Sequence, residues 1–140
     1  MGKTITKLAL DSNIFIYHFE KHRIYHHYTL PLFEKLEKES TKISTSRISV
    51  IEALSYPSSK SVLEKIEYQF KTLPNLEIYD VNEKVGNISA KIRRKGGIRL
   101  PDAIQLATAI HAKADIFITN DRGLKKFKGI KVILLKEVNL

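Results

Sequence analysis

The alternation of short apolar segments with longer amphipathic ones constrains the fold of this 140-residue chain more than any other feature. Apolar runs of strand length, each followed by residues at helical spacing, are typical of a parallel sheet covered by helices on both faces. We predict a single α/β domain over residues 1–140, built as a three-layer α/β/α sandwich around a central parallel sheet of about five strands. The predicted strands cover residues 7–10, 43–45, 76–79, 116–119 and 131–134.

The segments between these strands carry apolar residues at helical spacing and predict six helices and one short helical turn. Pro31 must lie in the first turn of the second helix, because a proline farther inside would break it. Pro101 suits the first turn of the sixth helix. The predicted helices cover residues 14–20, 28–40, 46–55, 58–73, 82–95 and 101–112, and the short turn covers 121–126.

Composition excludes several kinds of site and partner. The sequence has no cysteine, which excludes disulfides, cysteine-ligated zinc, iron–sulfur clusters and thiol catalysis. The longest apolar runs are strand-sized, far below the ~20 residues of a membrane span, and residues 1–4 do not lead into a secretory signal. We therefore expect a cytoplasmic protein with no membrane partner. The net charge of +9 favours polyanionic partners such as nucleic acid.

Four acidic residues lie where an open parallel sheet binds ligands, near the carboxyl ends of its strands. Asp11 directly follows the first predicted strand, and Asp121 follows the fourth after one intervening residue. Asp102 lies at a helix start, and Glu52 lies at the edge of an apolar helical stripe. Taken singly, each aspartate is more typical of a helix terminus, and Glu52 is equally explained as a boundary residue reaching water.

Right-handed crossovers would bring these four carboxylates together at one edge of the sheet. Four ionised carboxylates in one hollow repel each other strongly, so the cluster needs protons or cations. Oxygen-only ligands favour Mg²⁺ or Mn²⁺, and two such ions can bind the attacking and leaving oxygens of a phosphodiester. The pattern predicts a metal-dependent nuclease.

Four short motifs carry a resemblance to a known family. In their order and spacing they resemble the four signatures of PIN-domain nucleases, and a single-domain chain of this length is similar to VapC-type toxin ribonucleases. The resemblance implies that Asp11, Glu52, Asp102 and Asp121 are the catalytic, metal-binding acids, for Mg²⁺ or Mn²⁺. It also implies that Asn13 and Thr119 are supporting polar residues that orient carboxylates or water. The motifs are Leu10-Asp11-Ser12-Asn13, Ser49-Val50-Ile51-Glu52-Ala53, Leu100-Pro101-Asp102-Ala103-Ile104 and Ile118-Thr119-Asn120-Asp121.

The same resemblance implies a function and partners. It implies a metal-dependent endoribonuclease that leaves 5′ phosphates and 3′ hydroxyls, acts as the toxin of a toxin–antitoxin pair, forms a homodimer and is inhibited by a protein antitoxin. One alternative is a PIN-type RNA-processing or RNA-binding domain without a toxin role. Another is a phospho-accepting signalling domain, which needs an adjacent acidic pair after the first strand that Asp11-Ser12 does not provide.

Three further features have two interpretations each. We expect RNA contacts from two basic groups, although cations near a helix end also stabilise the helix. His22 and His26 have the spacing of a zinc pair but favour an exposed histidine cluster. Several apolar residues of the first helix exceed the needs of the core, which predicts a surface for an antitoxin or a second copy of the chain. The first basic group is Lys91, Arg93, Arg94, Lys95 and Arg99, and the second is Lys125, Lys126, Lys128 and Lys131; of these, Arg93, Arg94, Lys95, Arg99 and Lys125 are the candidate RNA contacts. The apolar residues are Ile14, Phe15, Tyr17 and Phe19, with Tyr25 and Leu32 nearby.

Overall fold

Five parallel strands form one sheet at the centre of the computed structural model, which describes residues 7–139. Their order across the sheet is β3-β2-β1-β4-β5, so the first strand of the chain lies in the middle. This confirms the predicted α/β/α sandwich with its parallel sheet. Residues 1–4, where we looked for a secretory signal, lie outside the described residues. The strands are β1 (Lys7–Leu10), β2 (Lys42–Ser46), β3 (Leu76–Tyr79), β4 (Ile116–Thr119) and β5 (Lys131–Leu134).

Six α-helices connect and cover these strands, each within two residues of its predicted bounds. The side chains of Ser46, Ser59 and Asn82 cap three of them by accepting hydrogen bonds from backbone N–H groups of the first turn. Two short 3₁₀ turns, Arg122–Lys126 and Leu135–Glu137, flank the last strand. The helices are α1 (Ser12–Phe19), α2 (His26–Lys38), α3 (Arg47–Leu54), α4 (Lys60–Thr72), α5 (Glu83–Arg94) and α6 (Leu100–His111).

The predicted place of Pro31 in the first turn of its helix is wrong. Helix α2 begins at His26, which puts Pro31 in the second turn. The additional turn forms because the Tyr25 carbonyl accepts a hydrogen bond from the Thr29 N–H at 3.1 Å. Pro31 donates nothing to the carbonyl of His27, but both residues are exposed, so water can satisfy that oxygen.

Side chains alternate between the two faces of the sheet and form two cores. Leu8 and Leu10 face the layer of α1 to α4, while Ala9 faces the layer of α5 and α6. Phe15 fills the centre of the first core, with ring centroids 5.3 Å from Phe70 and 5.9 Å from Phe33.

The first-helix residues therefore do not form the exposed partner surface that we predicted. Ile14, Phe15 and Phe19 are buried, because the side of the sheet covered by four helices needs all three. Tyr17 is half-buried and stacks on Tyr25 with 4.5 Å between ring centroids.

No helix within residues 7–139 is long and apolar enough to cross a membrane.

His22 uses its Nδ1 to accept backbone hydrogen bonds from Ile24 and Tyr25 at 3.1 and 3.2 Å. Its contacts are thus those of a loop-stabilising residue.

Candidate active site

The carboxyl ends of β1 and β4 fix the first candidate residue. Leu10 pairs with Ile118 across these two strands, and the Asp11 N–H donates to the Ile118 carbonyl at 3.0 Å. Asp11 is also the N-cap of α1, because its Oδ1 accepts a hydrogen bond from the Ser12 N–H at 2.8 Å. Strand pairing and helix capping together leave the Asp11 carboxylate little freedom to move.

Burial dominates the acid–base chemistry of Asp11. The side chain is buried, and its pKa is raised from 3.8 to about 6, chiefly by desolvation. Hydrogen bonds from Thr119 and Ser12 act against this rise, and the carboxylates of Asp102 and Glu52 contribute to it. Within residues 7–139 no lysine or arginine forms an ion pair with Asp11. These residues therefore leave the negative charge at this position uncompensated.

Thr119 connects two of the predicted acids. Its buried hydroxyl donates to Asp11 Oδ2 at 2.7 Å and accepts a hydrogen bond from the Asp121 N–H at 3.0 Å. The carboxylate of Asp121 caps the first 3₁₀ turn, where its Oδ1 accepts from the Gly123 N–H at 2.8 Å. Asp121 is thus linked to Asp11 through the Thr119 hydroxyl, while Asp121 Oδ1 caps the 3₁₀ turn that follows.

Glu52 is held by the residue that follows Asp11. It lies on the exposed side of α3, where its Oε1 accepts a hydrogen bond from the Ser12 hydroxyl at 2.9 Å. A small hollow of about 240 Å³ opens beside it, lined in part by Ile16 and Tyr56. The Glu52 carboxylate therefore stands at a solvent-accessible rim, next to the buried Asp11.

Asp102 lies in the first turn of α6, where the helix dipole stabilises an anion. Its side chain is 14% exposed, and Arg99 Nε lies 3.4 Å from its Oδ2. Because the Arg99 side chain is 81% exposed, solvent screens this pair and it contributes little energy. Asp102 faces Asp11 closely enough for its charge to raise the pKa of Asp11.

A buried glutamine, which we did not predict as a site residue, joins these elements. Gln105 Nε2 donates to Ser12 Oγ at 3.2 Å and to Ser49 Oγ at 2.9 Å. Thr45 donates its only hydroxyl proton to the Leu10 carbonyl, so Ser49 must donate to Thr45 Oγ1 at 2.6 Å. The one available sequence signal was an amide on the apolar stripe of α6.

The donor chemistry around Asp11 fits a hard divalent cation. Asp11, Asp102 and Glu52 provide carboxylate oxygens, and Asn13, two residues after Asp11, has a buried Oδ1 with no hydrogen-bond partner among the described residues. Mg²⁺ and Mn²⁺ prefer such ligands. As placed, however, no three histidine, aspartate or glutamate side chains in the described part of the chain lie close enough together to bind one ion.

The structure separates the five basic residues that we expected to contact RNA. Lys95 lines a groove beside α5, while Arg93 and Arg94 line a different hollow that includes Leu100. Lys125 forms an ion pair with Glu137 at 2.8 Å. Of these five, Arg99 is the one that contacts a predicted site acid.

Comparisons with known proteins agree with this architecture. The model of the PIN-domain family matches residues 8–130. The chain is similar to VapBC2 from Rickettsia felis bound to promoter DNA, at 24% identity, TM-score 0.71, covering 91% of this chain and 98% of that one. It is also similar to a toxin–antitoxin complex from Klebsiella pneumoniae, at 24% identity, TM-score 0.67 and coverage of 94% and 99%.

A third solved structure, FitAB bound to a DNA fragment, has 20% identity, a TM-score of 0.72, and coverage of 95% of this chain and 98% of that one. At these identities the structural similarity shows a shared fold. The search of curated proteins found no match.

Proposed function

Because the chain belongs to the PIN-domain family, whose members are nucleases, we propose that it is a metal-dependent endoribonuclease that hydrolyses RNA phosphodiesters. The observation that carries this proposal is the buried, uncompensated carboxylate of Asp11, held between Ser12 and Thr119 beside the charges of Asp102 and Glu52. A carboxylate in this setting is stabilised by a cation, and the surrounding donors are oxygens.

We assign the ion to Asp11, Glu52, Asp102 and Asp121, with the Asn13 amide oxygen nearby. When bound, Mg²⁺ or Mn²⁺ supplies a Lewis acid that lowers the pKa of water and stabilises charge on the phosphate. Residues of the chain hold the ligands of the ion in place. Thr119 holds Asp11 in one orientation by donating to its Oδ2.

Other features act at Glu52, at Asp102 and on the overall charge of the protein. Ser12 holds Glu52 by donating to its Oε1. Asp102 lies in the first turn of α6, at the positive end of the helix dipole, and the net charge of +9 attracts the RNA strand to the protein. The hydrogen bonds to Asp11 and Glu52 restrict the orientation of two of the four carboxylates, and the acids must move closer together to bind one ion.

Cleavage of a labelled RNA in Mg²⁺, Mn²⁺ or excess EDTA tests the proposal. We expect activity with either ion and none in EDTA, and products that carry 5′ phosphates and 3′ hydroxyls. Asp11→Asn and Asp102→Asn each remove a ligand charge and should reduce the rate at least about a hundredfold.

Asp80→Asn is the matched control for these variants, because Asp80 also follows a strand of the sheet but its side chain is 83% exposed and pairs with Arg47. Its activity should stay near that of the wild type. Undiminished cleavage in EDTA would contradict the metal requirement.

We further propose that the chain is the toxin of a toxin–antitoxin pair acting in the cytoplasm, since the solved structures it resembles are such complexes. Its antitoxin is then expected from a neighbouring reading frame. Expression of the chain alone should arrest growth, and coexpression of that frame should restore it. An RNA-processing domain without a toxin role is the alternative, and it predicts no arrest.

For a homodimer, the exposed apolar residues Val81 and Leu100 replace the buried first-helix residues as the candidate face. They line a hollow of about 560 Å³ together with Gly86 and Ala90. Small residues allow close approach of a second surface. Val81→Glu should therefore shift the mass measured by light scattering from dimer to monomer, and an unchanged mass would exclude this face.

A further inference from the structure

A groove of about 700 Å³ runs beside α5, on the side of the sheet covered by α5 and α6. Four lysine side chains line it, two from α5 and its C-terminal end and two from the end of the first 3₁₀ turn and the segment after it. Within residues 7–139 none of the four pairs with a carboxylate, whereas lysines on α2 and α4 do. The groove thus concentrates positive charge that the described residues leave unneutralised. These lysines are Lys91, Lys95, Lys126 and Lys128.

The walls between these lysines are apolar. Ile98, Ile110 and Phe127 line the groove and pack against the second core. Clefts of this size with apolar walls and a few charged groups are typical ligand sites. A ligand that fits must combine anionic groups with flat or apolar parts.

A loop that lines the groove leads to the candidate active site. The loop residues Gly96 and Ile98 belong to the lining of the groove, and Arg99, the next residue, contacts Asp102. Gly97 has a φ of +82°, and a Cβ placed there would lie 2.8 Å from Lys126 Nζ. Glycine at this position lets the lysine lie against the loop that leads to α6.

We propose that this groove binds a segment of the single-stranded RNA substrate outside the cleaved bond, with phosphates on the lysines and bases on the apolar walls. The inference rests on the proposed function. A strand held at the acids must continue across neighbouring surface, and the loop that lines this groove leads directly to Arg99, which contacts Asp102. Single-stranded nucleic acids bind such surfaces through backbone charge and through contacts with base faces.

Fluorescence anisotropy with a labelled 12-nucleotide RNA, in EDTA to prevent cleavage, tests the inference. Lys91→Gln combined with Lys128→Gln removes one charge from each wall. We expect affinity to fall about tenfold and the salt dependence, d log K/d log[salt], to weaken by about 1.4, or ~0.7 for each phosphate deprived of its lysine. The charge-matched control is Lys38→Gln combined with Lys65→Gln, two exposed lysines on helices that pack against the opposite face of the sheet.

The outcomes separate the inference from the proposed function. If both double variants lose RNA affinity equally, the protein binds RNA but the groove is not its binding site. If the wild type does not bind RNA, the proposed function is overturned. An abasic strand should bind more weakly than the RNA. Equal binding would show that the apolar walls do not contact the bases. If a peptide of alternating Glu and Leu binds more tightly than RNA and depends on the groove lysines, the groove is a protein-docking site instead.

Gln105 carries a second inference from a different observation. Its amide bridges Ser12 of α1 and Ser49 of α3, while Gln105 itself lies on α6. These three helices carry the acids around Asp11: Asp11 caps α1, Glu52 lies on α3 and Asp102 lies in the first turn of α6. Gln105 therefore ties together the elements whose separation sets the distances between the carboxylates.

The hydrogen-bond directions strengthen this role. Both Nε2 protons of Gln105 are donated to serine oxygens, which leaves the Ser12 proton free to point at Glu52. We infer that Gln105 is a positioning residue for metal binding by the acids, acting through Ser12. This inference also rests on the proposed function.

Calorimetric titration of metal-free protein with Mg²⁺ and Mn²⁺ tests the role of Gln105. Gln105→Met keeps length and burial but removes both donors. Because Mg²⁺ demands nearly ideal octahedral geometry, we expect its affinity to fall about 10–100-fold, the usual range for residues that orient ligands. The loss for Mn²⁺ should be smaller, so the ratio of the two affinities changes.

The matched control is Thr108→Val, one turn farther along α6, where a buried hydroxyl donates only to the Ile104 carbonyl. Both variants should lower the melting temperature, but only Gln105→Met should change the Mg²⁺/Mn²⁺ ratio. The same ratio in both variants would make Gln105 merely structural. Failure of the wild type to bind either ion would instead overturn the proposed function.

Discussion

Replacing Asp11 by asparagine should stabilise the metal-free protein at neutral pH, although a buried and hydrogen-bonded residue is lost. Asparagine keeps the shape of the side chain and removes its charge. Burial raises the pKa of Asp11 from 3.8 to about 6. At 1.36 kcal/mol for each pKa unit, the ionised carboxylate lowers the folding stability by about 3 kcal/mol above pH 6.

The sign follows from proton linkage. A carboxyl whose pKa is raised by folding contributes its full stability below pH 3.8, and that stability is lost as pH rises through about 6. Asparagine does not ionise, so the variant escapes this loss. It weakens the hydrogen bond from Thr119, at a cost of about 1 kcal/mol.

The net gain at pH 8 is about 2 kcal/mol. With an unfolding entropy of ~2.1 cal/mol/K per residue, this corresponds to a rise of about 7 °C in melting temperature. The assay is thermal unfolding in EDTA of wild type and Asp11→Asn from pH 4 to pH 8. The variant should melt higher at pH 8, and the difference should shrink to zero or reverse near pH 4.

Other titrating groups are common to both proteins and cancel in this difference. Asp80→Asn, at the exposed end of β3, should show no pH-dependent difference from wild type. A difference for Asp11→Asn that is flat between pH 4 and pH 8, or a variant that is less stable at pH 8, would refute the reasoning.

Three more outcomes follow from the same site and from the first core. Thr119→Val removes the donor to Asp11 and the acceptor for the Asp121 N–H, so urea titration should show a loss of about 1–3 kcal/mol at pH 7. Metal binding should release protons from Asp11 at pH 6 but not at pH 8, which appears as a buffer-dependent calorimetric heat at pH 6 alone. Burial lowers the pKa of His18 to about 4, so His18→Phe, which keeps a ring stacked on Phe33, should gain stability relative to wild type as the pH falls from 6.5 to 4, while the contribution of Asp11 is common to both proteins and cancels; a difference that does not change with pH would contradict this assignment.

The fold was predictable because local pattern and tertiary packing agree along most of the chain. Alternating residues such as Leu8, Ala9 and Leu10 divide between two cores, as strand geometry requires. The start of α2 was missed because Tyr25 at its N-cap makes no side-chain capping bond, so the sequence lacks a start signal there. The prediction that α1 has more apolar residues than the core needs was wrong. The sequence does not show that four helices cover one face of the sheet, and this face buries Ile14, Phe15 and Phe19.

The candidate site was predictable only in part. Its position directly after a strand end predicted Asp11 as a candidate, since the topology of a parallel sheet brings such residues to one edge. Gln105 gave no comparable signal, because one amide on an apolar helical stripe does not reveal which hydroxyls it will meet. The groove beside α5 combines residues 88–98 with residues 126–129, and only the folded chain brings these segments together.

The place of β1 in the sheet has a consequence for the time at which the site forms during synthesis. β1 is made first but lies between β2 and β4, and β4 is translated about 105 residues later, roughly 5–20 s at ordinary elongation rates. Until then Asp11 lacks both the Ile118 carbonyl that holds its N–H and the Thr119 hydroxyl that holds its carboxylate. If the chain is the endoribonuclease that we propose, an activity assembled in this order is inert in the growing chain, and the nascent chain cannot cut the message that encodes it before β4 has been translated.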